Sequence, residues 1–465
     1  MDTDVLIVGA GPTGLTLAGD LARAGVRHMV LERRSAEPNT TRAFAVHART
    51  LEQLDMRGVA DELVATGRQV PGVTLFGKSR VLLSGLPTRF PFVLVTPQFN
   101  TERVLAGRGV EVTSGAAVES VEQDADGVTA VLADGRRIRA RYLVGCDGWR
   151  SAVRESLGLP FPGKSVLRSI MLADVRLAEE PAETLTVNSS VGAMAFIAPF
   201  GDGWYRVFSW NLAERPTSEP VEFEEVRETV RKACGTDFGM HDPRWMSRFH
   251  SDERQAPRYR VGRVFLAGDA AHCHSPAGGQ GMNTGIQDAC NLGWKLAAAV
   301  DGHDGLLDSY ESERHPIGAM AVKSSGTLVR SGLARTPLQR ALRMGLTRLA
   351  LSVPKVRSKG ALMISGVGIG YGDGVDRVPD VALPGGGRLY EALRDGRFAV
   401  LGTPALDLGG WSERLTRTDA PGDQVVLVRP DGYAAWTGAP DDTAGLESAL
   451  LRWCGPARAS ATPPV

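Results

Sequence analysis

The N-terminal stretch consists of apolar runs separated by a turn and a helical pattern. An uninterrupted run, Val5 to Val8, precedes a cluster of glycines, and a second apolar run ends at Glu32. Continuous runs of this kind are typical of strands that are buried on both faces of a parallel sheet. Between them, Leu15, Ala18 and Leu21 recur at helical spacing on one face. The pattern therefore predicts a strand, a tight turn, a helix and a second strand.

Two later stretches repeat the order of strand, turn and helix. In RVFLAGDAAHCHSPAGGQGMNTGIQDACNLGWKL, a strand is predicted from Val264 to Ala267 and a helix from Thr284 to about Val300. The buried stripe of that helix is expected at Ile286, Ala289, Gly293, Leu296 and Val300. In RARYLVGCDGWRSAVRESLG, a strand precedes Asp147, and a helix opens at Arg150 and Ser151. Both stretches are expected to belong to the same α/β domain as the N-terminal unit.

The middle of the chain shows the alternation of a sheet instead. In GDGWYRVFSWNL, Tyr205, Phe208 and Trp210 alternate with Val207 and Ser209, as on a sheet with one buried face. A flat substrate could lie on such a sheet, and core packing alone explains the pattern about as well. The fold class is thus α/β with an inserted, mainly antiparallel β domain.

Composition narrows the range of partners. The chain has 465 residues, of which 53 are basic and 53 acidic, so no net charge favours nucleic acid or an anionic membrane. The 5 cysteines are scattered, and together with the acidic N-terminus, which is unlike a signal peptide, they favour a reducing cytoplasm. No run of about 18 apolar residues is present. We expect a cytoplasmic monomer or homodimer.

The first glycine cluster has the pattern of a dinucleotide-binding turn. Gly9, Gly11 and Gly14 form G-x-G-x-x-G, with Pro12 and Thr13 between the last two. The first glycine allows the turn, the second lets the backbone approach a pyrophosphate, and the third lets the helix pack on the strand. Phosphates then lie at the helix N-terminus, and a carboxylate such as Glu32 accepts a hydrogen bond from a ribose. This motif alone fits FAD and NAD equally.

The second strand end favours FAD. Asp269 follows the strand that ends near Ala267, and its carboxylate can accept hydrogen bonds from a ribityl chain, which NAD lacks. The helix that follows can place its N-terminal dipole at the pyrimidine end of a flavin, where it would stabilise the negative charge of reduction. A metal site at His272 and His274 is the alternative. It would need three or four converging ligands, and no partner cluster is evident, so we expect the loop that carries these histidines to brace the flavin and no metal to bind.

These stretches resemble the class A flavoprotein monooxygenases, the para-hydroxybenzoate hydroxylase family. GAGPTG resembles its dinucleotide fingerprint, CDGWRSAVR its DG motif and GDAAHCHSPAGGQGMNTGIQDACNLGWKL its GD motif, while TRAFAVHARTLE and VTPQFNTE are similar to its flavin-contacting segments. The resemblance is closest to the aromatic polyketide hydroxylases of angucycline and anthracycline pathways. Some of these carry a small thioredoxin-like C-terminal domain, which ALPGGGRLYEALRDGRFAVLG and VVLVRPDGYAAWTG resemble.

The resemblance implies an organisation and a reaction. The expected domains are a Rossmann-type FAD-binding domain (1–70, 95–165 and 257–365), a substrate domain (71–94 and 166–256) and a thioredoxin-like domain (366–465). FAD would be reduced by NADPH and react with O2 to give a C4a-hydroperoxyflavin, which hydroxylates a polycyclic phenolic substrate. Two alternatives stay open. One is Baeyer–Villiger oxygenation of a ketone or quinone by the same flavin species, and the other is a non-turnover protein that binds FAD and substrate.

The resemblance also implies site residues. It places Glu32 and Arg33 at the adenosine ribose, Asp147 in a motif that serves FAD and NADPH, and Asp269 at the ribityl chain. The other expected FAD contacts are Arg42, Gln98, Gly279, Gly281, Met282 and Asn283. Pro276 is expected beside the flavin ring as a catalytic residue. Arg49 is the second catalytic candidate, as a buried cation near the flavin, and its alternative role is to pair with a nearby carboxylate.

Two features depart from the family pattern. The helix after Gln98 has room for roughly two turns at most before the next strand, where the family usually has about three. The C-terminal domain has no C-x-x-C pair, and its lone Cys454 cannot perform dithiol redox chemistry, so a structural or oligomerisation role is expected for this domain.

Overall fold

The computed structural model describes residues 1–35, 43–75, 79–213, 215–276, 278–332, 336–372, 374–418 and 423–458. The first elements along the chain are β1 (Thr3–Val8), α1 (Pro12–Arg23), β2 (His28–Glu32), β3 (Ala45–Val46), α2 (Ala48–Asp55), α3 (Ala60–Val64), β4 (Arg68–Val70), β5 (Gly72–Leu75), β6 (Ser79–Leu82), β7 (Val93–Val95), α4 (Gln98–Ala106), β8 (Val112–Ser114), β9 (Val118–Gln123), β10 (Val128–Leu132), β11 (Arg137–Gly145) and α5 (Ala152–Ser156).

The middle elements are β12 (Gly163–Arg176), β13 (Thr186–Ser190), β14 (Ala193–Pro199), β15 (Tyr205–Asn211), α6 (Phe223–Cys234), β16 (His241–Gln255), β17 (Arg260–Val261), β18 (Val264–Leu266) and β19 (His272–Cys273). They are followed by α7 (Gln280–Val300), α8 (Asp308–Gly332), α9 (Pro337–Ser352), α10 (Pro354–Ser365), α11 (Leu389–Ala392), β20 (Phe398–Leu401), β21 (Leu415–Thr418), β22 (Val425–Val428), β23 (Ala434–Gly438) and α12 (Thr443–Cys454).

The largest sheet has the strand order β17-β18-β11-β1-β2-β8, with the β9–β10 hairpin attached to β11. From β18 to β8 the neighbouring strands are parallel, as the continuous apolar runs predict. Residues of β1 such as Leu6 and Ile7 have no exposed surface, and α1 packs on both β1 and α7. This is the Rossmann-type domain, and its parallel strands bring their carboxyl ends to one edge of the sheet.

The second sheet is antiparallel, in the order β13-β14-β15-β12-β16-β19. Phe208 and Trp210 belong to the apolar cluster on one face, whereas Tyr205 and Val207 belong to the cluster on the other, which α6 covers. The prediction of one buried face is therefore wrong, since α6 buries the second. The long strands β12 and β16 connect this domain to the rest of the molecule.

The C-terminal domain has a four-stranded sheet in the order β21-β20-β22-β23. The pair β20–β21 is parallel, the remaining pairs are antiparallel, and α12 packs on β23 in a thioredoxin-like arrangement. Trp294 of α7 contacts the rings of Phe398 and Trp453, so this domain shares a core with the FAD-type domain. Cys454 is a buried free thiol, which agrees with a structural role.

Helix α7 differs from its prediction at one end and in its burial. It begins at Gln280, a turn before Thr284, because Gly279 takes a left-handed conformation (φ 64°) and starts the helix there. The helix is buried on nearly all sides rather than along one stripe, since α1, α2, α8 and the C-terminal domain all pack on it. Helix α4 is short, with 9 residues. None of the described helices is long and apolar enough to cross a bilayer.

Candidate active site

The carboxyl ends of four parallel strands lie along one elongated cavity of about 680 Å³. Gly9 follows β1, Glu32 ends β2, Asp147 follows β11 and Asp269 follows β18, and all four residues line it. Strand ends that meet beside the central strand of an open α/β sheet form the usual crevice for a dinucleotide. The fold thus brings together residues that are far apart in the sequence.

The three glycines of the fingerprint have different surroundings. At Gly9 (φ 108°) a Cβ atom would lie 2.3 Å from the Cys146 carbonyl oxygen, and at Gly14 it would lie 1.9 Å from the Gly9 oxygen. These two positions need glycine because protein backbone packs against them. A Cβ at Gly11 would meet no protein atom within 4 Å. Gly11 lines the cavity with Pro12 and Thr13, so its missing side chain leaves room for a ligand.

Glu32 is a charged residue that already has partners. Its carboxylate accepts hydrogen bonds from the backbone N–H of Ala10 (2.9 Å), from the N–H of Arg34 (2.9 Å) and from Arg34 Nε (2.8 Å). Burial opposes ionisation, but the Arg34 side chain and the two backbone donors outweigh it and lower the pKa of Glu32. Arg33 is exposed at the same end of the cavity. Arg42 lies outside the described residues.

Asp147 and Gln98 differ in their free hydrogen-bonding capacity. The Oδ2 atom of Asp147 accepts from the Val153 N–H (3.2 Å), whereas its buried Oδ1 atom has no partner, and burial raises the pKa of this carboxyl. Gln98 lines the cavity, but its Oε1 accepts from the Ala43 N–H (3.2 Å) and its Nε2 donates to Glu102 (2.8 Å). Asp147 thus offers an unused acceptor, and Gln98 anchors the segment that leads into β3.

The loop from Asp269 to α7 forms the opposite wall. Asp269, Pro276, Gly279, Gly281 and Met282 all line the elongated cavity, and the N-terminus of α7 begins there without a side-chain cap. The first N–H groups of a helix have no partner within the helix, so they are available to an electronegative atom of a ligand. This arrangement agrees with a helix N-terminus at the pyrimidine end of a flavin.

Asn283 does not line either cavity. Its Oδ1 accepts from the His47 N–H (2.8 Å), and its Nδ2 donates to the carbonyls of Ala45 (2.9 Å) and Gly279 (2.7 Å). The side-chain amide is thus fully engaged with the backbone, and the expected cofactor contact of this residue stays a prediction. Asn283 instead ties the first turn of α7 to β3.

A second cavity, of about 290 Å³, lies beside the first. Its walls come from the antiparallel sheet, α8 and α10, and are mostly apolar, including Leu167, Ile170, Met194, Phe196, Trp210, Ile317, Met320, Val329 and Ile364. The two cavities share six wall residues: Phe44, Ala45, Phe208, Ser275, Pro276 and Gly279. Pro276 therefore lies at the junction, where a ligand of one cavity meets a ligand of the other.

Arg49 lines neither cavity. Its buried guanidinium donates to the Glu52 carboxylate (2.9 Å) and the Asp431 carbonyl (2.8 Å), and its Cζ lies 4.6 Å from the centre of the Tyr433 ring. The side chain extends from α2 toward the C-terminal domain, and the expectation of a cation beside the flavin stays an untested prediction. The geometry supports the alternative role as the partner of a nearby carboxylate.

The two histidines of the HCH sequence brace the loop. His272 Nε2 lies 2.7 Å from Asp288 Oδ2, and Asp288 also accepts from Arg314 Nε (2.7 Å) and the Gly268 N–H (3.0 Å). His274 lines the elongated cavity with a buried, unpartnered Nε2 atom. Across the described residues, no group of three or more histidine, cysteine, aspartate or glutamate side chains is placed so that it could hold a metal ion.

The polar groups that line the elongated cavity suit those of FAD. The N-terminus of α1 and the open position at Gly11 would hold the pyrophosphate, Glu32 and Arg33 the adenosine, and Asp269 the ribityl chain. The orphaned Asp147 Oδ1 and His274 Nε2 atoms lack partners in the protein alone, as expected of groups that bind a ligand. Sequence reasoning missed His274 as a ligand-facing group and His47 as a wall of the second cavity.

Two family models match the chain. Residues 2–325 match the FAD binding domain, and residues 375–457 match the C-terminal domain of aromatic-ring hydroxylases. The chain is 40% identical to a rifampicin monooxygenase of Streptomyces venezuelae over 483 residues, which cover 98% of this chain and 99% of that protein.

Two further relatives also align over their full length. The structure of an anhydrotetracycline hydroxylase from Streptomyces rimosus superposes with a TM-score of 0.86 at 38% identity, covering 98% of this chain and 100% of that one. A dialkyldecalin synthase of Streptomyces rugosporus is 38% identical, covering 98% of this chain and 100% of that protein. The likeness thus extends far beyond the glycine motifs.

Proposed function

Because the chain belongs to the FAD-binding aromatic-ring hydroxylases and is an FAD-dependent monooxygenase, we propose that it hydroxylates a polycyclic phenolic substrate of the polyketide type. NADPH supplies the electrons and O2 the oxygen atom. The observation that carries the proposal is the junction at Pro276 and Gly279, where an apolar cavity meets the dinucleotide cavity. A flat aromatic ring in the first would face a flavin in the second.

Different parts of the chain would have different roles in the reaction. FAD, when bound, supplies the redox chemistry that transfers electrons from NADPH to O2 and inserts one oxygen atom into the substrate. The N-terminus of α7 offers its unpaired N–H groups to the reduced ring system. The apolar walls of the second cavity exclude water, which favours productive oxygen transfer over side reactions. Pro276, which lines both cavities, would lie between the two ligands at the junction.

Two relatives support the substrate class. Rifampicin and anhydrotetracycline, named in those relatives, are large polycyclic aromatic compounds, and the mostly apolar cavity of this chain suits a ligand of that kind.

The five cysteines are free thiols, and we place the enzyme in the reducing cytoplasm.

A second candidate function rests on the dialkyldecalin synthase. That relative is named for a synthase reaction rather than for oxygenation, yet it aligns with this chain over its whole length. A protein of this kind would bind FAD and substrate without consuming NADPH, and Baeyer–Villiger oxygenation remains a variant of the leading proposal. The products distinguish these three activities.

The test is a spectrum followed by a turnover assay. We expect a yellow protein whose NADPH oxidation rises with one polyphenolic polyketide and yields a product heavier by one oxygen atom. A lactone or ester product would indicate Baeyer–Villiger oxygenation. A yellow protein that converts such compounds without reduction by NADPH would support the second candidate, and a colourless protein that cannot take up FAD would refute the cofactor assignment.

A further inference from the structure

The second cavity contains one titratable side chain among the described residues that line it. That side chain is the imidazole of His47; aspartate, glutamate, lysine, arginine, cysteine and tyrosine are all absent from the described wall. In a mostly apolar cavity a polar group has a large influence on how a ligand is oriented, because every polar atom of the ligand that lacks a partner there is penalised.

Four of the other polar wall residues have engaged a donor group. Thr284 Oγ1 donates to the Gln280 carbonyl (2.9 Å), and Gln287 Nε2 donates to Thr50 Oγ1 (3.1 Å). The hydroxyls of Ser324 and Ser325 donate to carbonyls of their own helix, each at 3.1 Å. These four groups serve the helices that carry them. The Ser209 hydroxyl is buried without a partner in the protein, so the wall offers a ligand this hydroxyl as well as the imidazole of His47.

His47 is held at the flavin end of this cavity. It lies between β3 and α2, and its backbone N–H donates to Asn283 Oδ1 (2.8 Å). Its ring lies beside the junction, since a Cβ built on Gly279 would be 3.4 Å from His47 Nε2. The backbone on both sides of the ring is therefore fixed, and the imidazole has a defined position relative to the shared wall.

The ring is uncharged at neutral pH. Burial lowers the pKa of His47 to about 4, and a hydrogen bond to the backbone of Gly278 opposes this shift only in part. A neutral imidazole has one N–H donor and one acceptor nitrogen. With the donor directed to the Gly278 backbone, the remaining nitrogen is an acceptor, and its complement on a substrate is a hydroxyl group.

We propose that the His47 imidazole accepts a hydrogen bond from a phenolic hydroxyl of the substrate and thereby determines which ring carbon faces the flavin end of the cavity. This assignment rests on the proposed function, because it requires a phenolic ligand in the second cavity. It makes His47 a specificity-determining residue of the reaction.

The experiment compares a phenol with its methyl ether. The FAD-loaded enzyme is titrated with 2-hydroxyanthraquinone and with 2-methoxyanthraquinone, and binding is followed by the change in the flavin spectrum. The wild type is expected to bind the phenol about tenfold more tightly than the ether, which is typical for one hydrogen bond in a buried site. Since the ether lacks the donor, the ratio of the two affinities isolates this contact.

The variants are His47→Leu and His47→Phe, with His47→Gln as the conservative variant and the exposed His241→Leu as the matched control. Both apolar variants are expected to bring the ratio to about one with little change for the ether. His47→Gln should retain part of the preference, and His241→Leu should retain all of it.

One result would contradict the role of His47, and a different result would contradict the proposed substrate class. A preference for the phenol that persists in both apolar variants would refute the role of His47 alone. A wild type that binds FAD but gives no spectral change with either compound would refute the phenolic substrate class, and the role of His47 with it.

Discussion

The glycines at positions 11 and 14 provide a way to separate cofactor binding from folding. Replacing Gly11 with alanine adds a methyl group that meets no protein atom within 4 Å, and the backbone there (φ −76°) is open to any residue. Replacing Gly14 places the methyl group 1.9 Å from the Gly9 carbonyl oxygen, far inside van der Waals contact. The first change should affect only a ligand, and the second the protein itself.

The expected magnitudes follow from these contacts. Gly11→Ala should leave the free energy of unfolding of the apoprotein within about 1 kcal/mol of wild type. It should weaken FAD binding by about 1–3 kcal/mol, or about 5- to 150-fold, because the methyl group occupies the space of the pyrophosphate. Gly14→Ala should destabilise the apoprotein by at least about 1–3 kcal/mol, since the helix must move away from the strand.

The assay uses apoprotein in both arms. FAD affinity is measured from the quenching of flavin fluorescence, and stability from urea unfolding without FAD. Gly305→Ala is the control, because Gly305 is exposed and a Cβ there meets no atom within 4 Å. If Gly11→Ala bound FAD as tightly as wild type, the placement of the pyrophosphate at α1 would be wrong. If it lost as much apoprotein stability as Gly14→Ala, position 11 would not be open in the protein.

Three further predictions concern the buried polar groups. Arg429→Met should lower the free energy of unfolding in urea by about 3–5 kcal/mol, because the buried guanidinium pairs with the carboxylates of Glu313 and Asp431. The control Arg452→Met, at an exposed position, should change this free energy by less than about 1 kcal/mol. Equal losses in the two variants would contradict the prediction. Burial disfavours the charge of Glu313, but Arg429 and Lys295 together outweigh burial and lower the pKa of Glu313 to about 2. This carboxylate therefore stabilises the fold above its unfolded pKa, and the contribution is lost as pH falls toward 2. Glu313→Gln should show a shallower loss of stability with acid than wild type, and an equal slope would refute the assignment. Asn283→Ala should lower the free energy of unfolding, measured by thermal unfolding, by about 1–3 kcal/mol because it leaves buried backbone groups unpaired. An unchanged stability would contradict the role of Asn283 as the tie between α7 and β3.

The sequence predicts well those parts of the fold that depend on local pattern. Continuous apolar runs such as Val5 to Val8 can only be buried on both faces, so the parallel strands and the turn after Gly9 follow from the chain itself. The fingerprint and Asp269 could be placed at strand ends for the same reason. The meeting of these ends in one cavity follows from parallel pairing.

Other features depend on which elements pack together, and the sequence pattern does not contain the information on that packing. Arg49 belongs to an amphipathic pattern, and nothing local indicates that α2 directs its guanidinium to the C-terminal domain. Asn283 was expected at the cofactor because of its motif, whereas its amide bonds the backbone of β3, more than 200 residues earlier. His47 gave no signal, because its chemistry arises from the apolar walls that the substrate domain supplies.

The central claim is that oxygen is transferred to a ring held at the junction of the two cavities. Its most direct test is turnover of the stimulating polyphenol under 18O2, with the product analysed by mass spectrometry. The account predicts one 18O atom in each product molecule, formed in proportion to the NADPH consumed. A product without 18O, or NADPH oxidation that releases only hydrogen peroxide with each stimulating polyphenol, would contradict it.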